Sequence, residues 1–260
     1  MNSVERQMVE ILTKGRDSYG VVSVKAEFEA EGTRIDELLR LVDIARAAGL
    51  KLTVKIGGCE AIRDLLEAKQ IGVQYLVAPM VESPYAAHKF VAAKNLVFES
   101  SEQEETDFLI NIETITAFEN RESLVTPEVE IDGIVFGRVD FAGSLGFDRT
   151  QLNSDSITNY IEEIARLCKQ RDKQLVMGGG VSFESLGAIR KVTEIRLDRF
   201  ETRKVVFDAK NAVDSDLENG IRNAVKFELL WLKNKQNYYS SIAREDSQRI
   251  MMLEKRIEEI

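Results

Sequence analysis

The sequence predicts an α/β protein: a (β/α)8 TIM barrel with an N-terminal helix and an extended C-terminal helical tail. Three observations predict it. Short apolar runs rich in β-branched residues alternate with helical stretches along the chain. No linker or low-complexity segment interrupts that alternation. The length, 260 residues, suits one barrel. A doubly wound open sheet is the competing arrangement. The lack of Gly-x-Gly-x-x-Gly after the first strand argues against its dinucleotide-binding form.

The N-terminal helix comes first. Val4, Met8, Ile11 and Leu12 share one helical face, and Gly15 and Gly20 bracket its end. Strands are expected at VVSVKAEF (21–28), LTVKIG (52–57), QYLVAPM (74–80), LVFES (96–100), FLINIE (108–113), GIVFGR (133–138), QLVMGG (174–179) and EIRLDRF (194–200). Helices are expected at 34–48, 59–69, 84–93, 114–122, 156–171, 183–191 and 215–235. Ser83-Pro84 reads as a helix start, with Ser at the cap and Pro at the first helical position. The connection 101–107 is too short for a helix, so the fourth unit is the irregular one. Residues 1–235 are assigned to the barrel with its capping helix, and 236–260 to a C-terminal helical extension. There Ile250, Leu253, Ile257 and Ile260 recur at spacings of three, four and three, a short coiled-coil-like seam. Such a seam suits docking on the barrel or on a neighbouring subunit, and a homo-oligomer is expected.

Composition excludes several classes. A net charge of −9 without a basic tract argues against a nucleic acid partner. No apolar run approaches the roughly 18 residues of a membrane span, and the N-terminus carries acids among its apolar residues, unlike a secretory signal. Cys59 and Cys168 lack metal-ligand spacing, and one histidine, His88, excludes sites built from several imidazoles. A cytoplasmic protein without a membrane partner is expected.

In barrels, chemistry gathers where strands end. The polar residues there are Lys25, Glu27 and Glu29; Lys55, with Gly57, Gly58 and Glu60; Glu82; Glu113; Arg138 and Asp140; the run Gly178–Gly180; and Glu201, Thr202 and Arg203. Each has an ordinary reading. Glu60 and Glu82 suit helix-start charges. His88, one turn into a helix, suits the surface. Lys25 and Lys55 lie inside apolar strands, where a buried ion pair with Glu27 or another acid explains them. Gly178–Gly180 suits either a tight turn or a phosphate-binding loop. Glu113 and Asp140 stand apart, because both end apolar runs on strands expected to be neighbours. Two adjacent carboxylates repel, and a divalent cation removes the conflict. Two carboxylate ligands, with water and substrate completing the shell, are typical of Mg²⁺.

Three segments resemble the HpcH/HpaI aldolase and citrate lyase β-subunit-like family of metal-dependent 2-oxo acid aldolases: APMVES (78–83), INIETITAFEN (110–120) and GIVFGRVDFAGSLGF (133–147). The resemblance spans roughly residues 20–205. It implies that Glu113 and Asp140 bind Mg²⁺ or Mn²⁺. It further implies that the metal chelates a pyruvate-like unit and, as a Lewis acid, stabilises its enolate. Backbone N–H groups near Gly57-Gly58 are candidates for the substrate carboxylate. This chain departs from the pattern where Lys55 stands in place of an arginine, where no histidine base is placed, and at Gly137-Arg138-Val139-Asp140-Phe141. Arg138, two residues before Asp140, would point the same way on a continuing strand and supply positive charge.

The expected function is a divalent-metal-dependent carbon–carbon lyase or aldolase acting on a 2-oxo acid or its aldol adduct. Lys55, Arg138, Glu82 and Lys25 are the catalytic candidates. Glu27, Gly57, Gly58, Glu201 and Arg203 are the substrate-binding candidates. One alternative is a Schiff-base aldolase using Lys25 or Lys55 as nucleophile. Another is a barrel recruited to a different reaction, or to binding a carboxylated or phosphorylated sugar.

Overall fold

The computed structural model describes residues 1–259; Ile260, the last residue of the tail seam, lies outside them. Eight strands close into a barrel in sequence order: β1 (Val21–Glu27), β2 (Lys51–Lys55), β3 (Tyr75–Ala78), β4 (Asp107–Ile112), β5 (Gly133–Gly137), β6 (Gln174–Gly178), β7 (Arg199–Glu201) and β8 (Val205–Asp208). The helices are α1 (Ser3–Tyr19), α2 (Ile35–Ala47), α3 (Ile62–Ile71), α4 (Pro84–Val97), α5 (Ser100–Gln103), α6 (Ile115–Glu119), α7 (Arg121–Leu124), α8 (Arg138–Ser144), α9 (Asp155–Arg171), α10 (Leu186–Thr193), α11 (Ala209–Val213) and α12 (Leu217–Glu258).

The barrel is the predicted one, with differences at two strands and a short helix, α5, in the connection expected to hold none. The run 96–100 is not a strand. Val97 ends α4, and Phe98 is buried edge-on against Phe108, so its apolarity serves packing outside the sheet. The eighth strand lies instead at 205–208. Only residues 202–204 separate it from β7, and Thr202 closes that turn by donating its N–H to the Val205 carbonyl at 2.9 Å. So short a link permits only a hairpin, because a parallel return needs a crossover of a dozen or more residues. β8 therefore runs antiparallel to both β7 and β1, while the other pairings are parallel. Glu113 and Asp140 consequently follow the fourth and fifth strands, which pair with each other.

α1 starts on a capping box. Asn2 accepts from the Glu5 N–H at 2.9 Å, and Glu5 accepts from the Asn2 N–H at 2.7 Å. Met8 and Leu12 face the core, and the helix stops at Gly20, which takes the left-handed conformation (φ 73°). α4 begins at the expected Ser83 cap with Pro84 behind it. The main core lies between the sheet and its surrounding helices. A second, smaller cluster of Tyr75, Val77, Leu109, Val135 and Val176 fills the barrel interior. α12 runs unbroken through residue 235, and beyond Tyr239 every described residue is exposed.

Candidate active site

Above that inner plug the strands alternate in the usual way, and their next inward residues are polar. Lys25, Lys55, Asn111 and Glu201 line a cavity of about 470 Å³ at the C-terminal ends of β1–β7, together with Glu27, Glu29, Glu113, Asp140 and Arg203. A larger open depression of about 1060 Å³ lies at the opposite end of the barrel, around Tyr75, Gln174 and Arg199. Two of its basic groups are matched locally: Arg196 pairs with Asp172 and Asp198, and Arg199 donates to Gln174. The cavity at the strands' C-terminal ends is the one whose acceptors outnumber its donors.

Glu113 sits just past β4 and is 1 % exposed. Its Oε1 accepts from the Met80 N–H at 2.9 Å. Its Oε2 accepts from Asn111 Nδ2 at 2.5 Å and from Lys55 Nζ at 3.3 Å. Met80 holds φ 50°, a left-handed value that is rare for a non-glycine residue. That conformation costs about 1–3 kcal/mol, and it aims the Met80 N–H at the carboxylate. Two glycines make room for the acids. A Cβ on Gly137 would stand 2.7 Å from Glu113 Oε2, and one on Gly178 would stand 2.8 Å from Glu201 Oε1.

The two strand lysines are buried in ion pairs, as their setting in apolar runs suggests. Lys25 bridges Glu27, at 3.0 Å, and Glu201. Burial by itself lowers the Lys25 pKa, but the Glu201 and Glu27 carboxylates outweigh it and hold the value well above that of a free lysine. Lys55 bridges Glu29 at 3.0 Å and Glu113 at 3.3 Å. Its pKa is also raised: burial opposes this, and Glu113 followed by Glu29 prevails. Arg203 is at the rim, bonded to Glu31 at 3.0 Å.

The structure does not bring four sequence candidates into this cavity. Arg138 is fully buried elsewhere, because the strand ends at Gly137 and Arg138 begins helix α8. Its guanidinium donates to the Gly179 carbonyl at 3.0 Å, to Asn153 Oδ1 at 2.9 Å and to Ser185 Oγ at 3.1 Å. None of these partners is an acid, and burial lowers its pKa to about 10. It braces the Gly178–Gly180 wall from behind. Glu82 accepts from the Thr114 hydroxyl at 2.5 Å and lies outside the cavity lining. Gly57 has already donated its N–H to Asp64 Oδ2 at 2.7 Å, which leaves no donor there for a carboxylate. Gly58 is likewise outside the lining. Sequence reasoning passed over Asn111, although its place two residues before Glu113 puts both side chains on one side of the strand.

A divalent ion is compatible with this donor set. Asn111 Oδ1 is buried and has no hydrogen-bond partner. Asp140 is exposed to the cavity and has no ion-pair partner among the described residues. Glu113 has taken three donors of the roughly four a carboxylate accepts. Among the described residues no three acids, histidines or cysteines form a closed cage. The arrangement therefore matches an ion that keeps part of its water shell.

Fold and cavity together define an α/β barrel with an acid-rich site at the strands' C-terminal ends. The sequence model of the HpcH/HpaI aldolase/citrate lyase family matches residues 22–214, and the chain belongs to that family. Solved structures agree on the fold. The HpcH/HpaI aldolase from Desulfitobacterium hafniense DCB-2 superposes with a TM-score of 0.60 at 16 % identity, over 75 % of this chain and 82 % of that one. A variant of the citrate synthase SbnG gives 0.55 at 16 % identity, over 88 % and 90 %. An HpcH/HpaI aldolase/citrate lyase family protein from Burkholderia cenocepacia J2315 gives 0.56 at 14 % identity, over 76 % and 91 %. No curated protein sequence matches the chain.

Proposed function

We propose that the protein is a divalent-metal-dependent carbon–carbon lyase or aldolase acting on a 2-oxo acid or its aldol adduct. The observation that carries this reading is the placement of Glu113 and Asp140. One is buried at the end of β4 and the other, after neighbouring β5, has no ion-pair partner among the described residues, and both line the same cavity. These two residues would hold Mg²⁺ or Mn²⁺. Such an ion supplies a Lewis acid for the oxygens of a 2-oxo acid, where negative charge develops as the carbon–carbon bond breaks.

The chain's own groups do the rest. Lys55 presents a fixed positive charge beside Glu113, suited to a substrate carboxylate or oxo oxygen. Lys25, on the neighbouring strand β1 and neutralised by Glu27 and Glu201, stays protonated. Arg149 lines the same cavity and is a further cation for an anionic substrate, while Arg203 at the rim is bonded to Glu31.

The ion pairs speak against the Schiff-base alternative. A lysine nucleophile must shed its proton, and both lysines are held in the charged form by two carboxylates each. Mn²⁺ binding followed by calorimetry, with pyruvate turnover or aldol cleavage as the second readout, tests the proposal. Glu113→Gln and Asp140→Asn should each lose Mn²⁺ affinity and metal-dependent turnover while remaining folded. Full activity in EDTA, or trapping of substrate on a lysine by borohydride, would overturn it.

A further inference from the structure

We propose that Glu29 is the general base of this site, a reading that rests on the 2-oxo acid chemistry above. The observation behind it is a carboxylate oxygen without a directed hydrogen bond. Glu29 follows β1 and lines the cavity. Its Oε2 is buried in the ion pair with Lys55 Nζ at 3.0 Å and, among the described residues, accepts no directed hydrogen bond.

Glu228 lines the cavity from helix α12 rather than from a strand end, and the other strand-end acids already have roles. Glu113 holds three donors. Glu27 and Glu201 clamp Lys25 between them. Asp140 is given to the ion. His88, the single imidazole of the chain, lies exposed on α4 outside the cavity lining. Glu29 combines a place in the cavity lining with a carboxylate oxygen that takes no directed hydrogen bond among the described residues, and a base needs both access and a free lone pair.

Its position is also right. The same Lys55 ammonium lies 3.0 Å from Glu29 Oε2 and 3.3 Å from Glu113 Oε2. A substrate oxygen held by Lys55 beside Glu113 is therefore one contact away from Glu29. In the cleavage direction Glu29 takes the proton of the aldol hydroxyl. The carbon–carbon electron pair passes to the 2-oxo acid fragment, and the hydroxyl carbon leaves as the aldehyde. The proton on Glu29 then returns to C3 of the fragment. One proton is taken and one is given back, so no oxidant or further acid is needed.

Exchange of the pyruvate methyl protons with deuterium from D₂O, followed by NMR in the presence of Mn²⁺, isolates the proton transfer without an acceptor aldehyde. Oxalate binding to the Mn²⁺-loaded protein, measured by calorimetry, reports Lys55 and the ion separately. Glu29→Gln should slow exchange by roughly 10²- to 10⁴-fold while leaving the oxalate Kd within about threefold. Glu29→Asp should recover part of the rate. Undiminished exchange in Glu29→Gln would overturn the assignment, and so would a parallel collapse of oxalate binding, which would make Glu29 a support for Lys55. A wild-type protein that binds Mn²⁺ but exchanges no pyruvate protons would instead sink the 2-oxo acid reading itself.

Discussion

Replacing Gly137 by alanine tests how tightly the candidate site is built. The backbone there, φ −88° and ψ 90°, is open to any residue, so the obstacle is space alone. The added Cβ would stand 2.7 Å from Glu113 Oε2 and 2.8 Å from Glu113 Cβ. Swinging the carboxylate away relieves the first contact but not the second. The Glu113 backbone or strand β5 has to yield as well, and Glu113 is already fixed by Met80, Asn111 and Lys55. Overpacking of this kind costs about 1–3 kcal/mol, which for a chain of this size lowers Tm by about 2–12 °C. Displacing Glu113 should also weaken Mn²⁺ binding at least tenfold, or about 1.4 kcal/mol. Gly143→Ala is the control. Nothing lies within 4 Å of its Cβ, and it sits in helix α8. That change should be neutral or stabilise by about 0.5–1 kcal/mol. Differential scanning calorimetry and Mn²⁺ titration read both variants. If Gly137→Ala melts and binds Mn²⁺ like the wild type, the close packing of β5 against Glu113 does not organise the site.

Three further outcomes follow from the same geometry. Lys55→Met should weaken oxalate binding by roughly 10- to 150-fold, the worth of a hydrogen bond to a charged group of about 1.5–3 kcal/mol, without weakening Mn²⁺ binding, because Glu113 loses a competing cation; a loss confined to Mn²⁺ would contradict the role given to Lys55. Burial raises the Glu27 pKa and Lys25 more than reverses this, so the folded value lies below the ordinary 4.5. The stability it contributes is therefore fully present above about pH 4.5 and is lost as pH falls through the lower folded value, so the acid limb of a urea-unfolding series should be shallower in Glu27→Gln, and an identical limb would count against the pair. Removing residues 240–260 should lower the sedimentation coefficient beyond the mass removed if the exposed face with Ile242, Ile250, Leu253 and Ile257 joins subunits, whereas a shift accounted for by mass alone would leave α12 a solitary arm.

Much of the fold was legible because a barrel repeats one local rule. Where the rule was applied too literally, neighbouring context overrode it. LVF (96–98) carries strand-like residues, yet Val97 still belongs to α4 and Phe98 packs against Phe108. KVVF (204–207) was missed because a three-residue link to β7 leaves no room for the helix that the repeat leads one to expect. Glu113 was visible as an acid ending an apolar run. Arg138 was misjudged for a geometric reason. On a strand, residues 138 and 140 share a face, but α8 begins at 138, and two helical steps of about 100° each turn the two side chains apart. The ion-pair partners of Lys25 and Lys55 were only partly legible, since Glu201 reaches Lys25 from 176 residues away along the chain.

Those ion pairs bear on whether the fold depends on metal. A carboxylate as buried as Glu113 is costly without a counter-charge. Lys55 already supplies one, and Met80 and Asn111 donate further hydrogen bonds to its oxygens. The barrel should therefore fold without a divalent ion, unlike small domains whose ligands are brought together only by their metal. EDTA treatment should leave Tm within a degree or two of the untreated apoprotein. Mn²⁺ at 100 times its Kd should then add about 2.7 kcal/mol by mass action, a rise in Tm of about 5–11 °C. Asp140→Asn should keep the apo Tm and lose that rise, because Asp140 has no ion-pair partner among the described residues to give up. Unfolding on chelation would show that the lysine pairs do not suffice to hold the acids together. A native Tm indifferent to Mn²⁺ at every concentration would show that the ion has no site in the folded barrel, and the reading of Glu113 and Asp140 as its ligands would go with it.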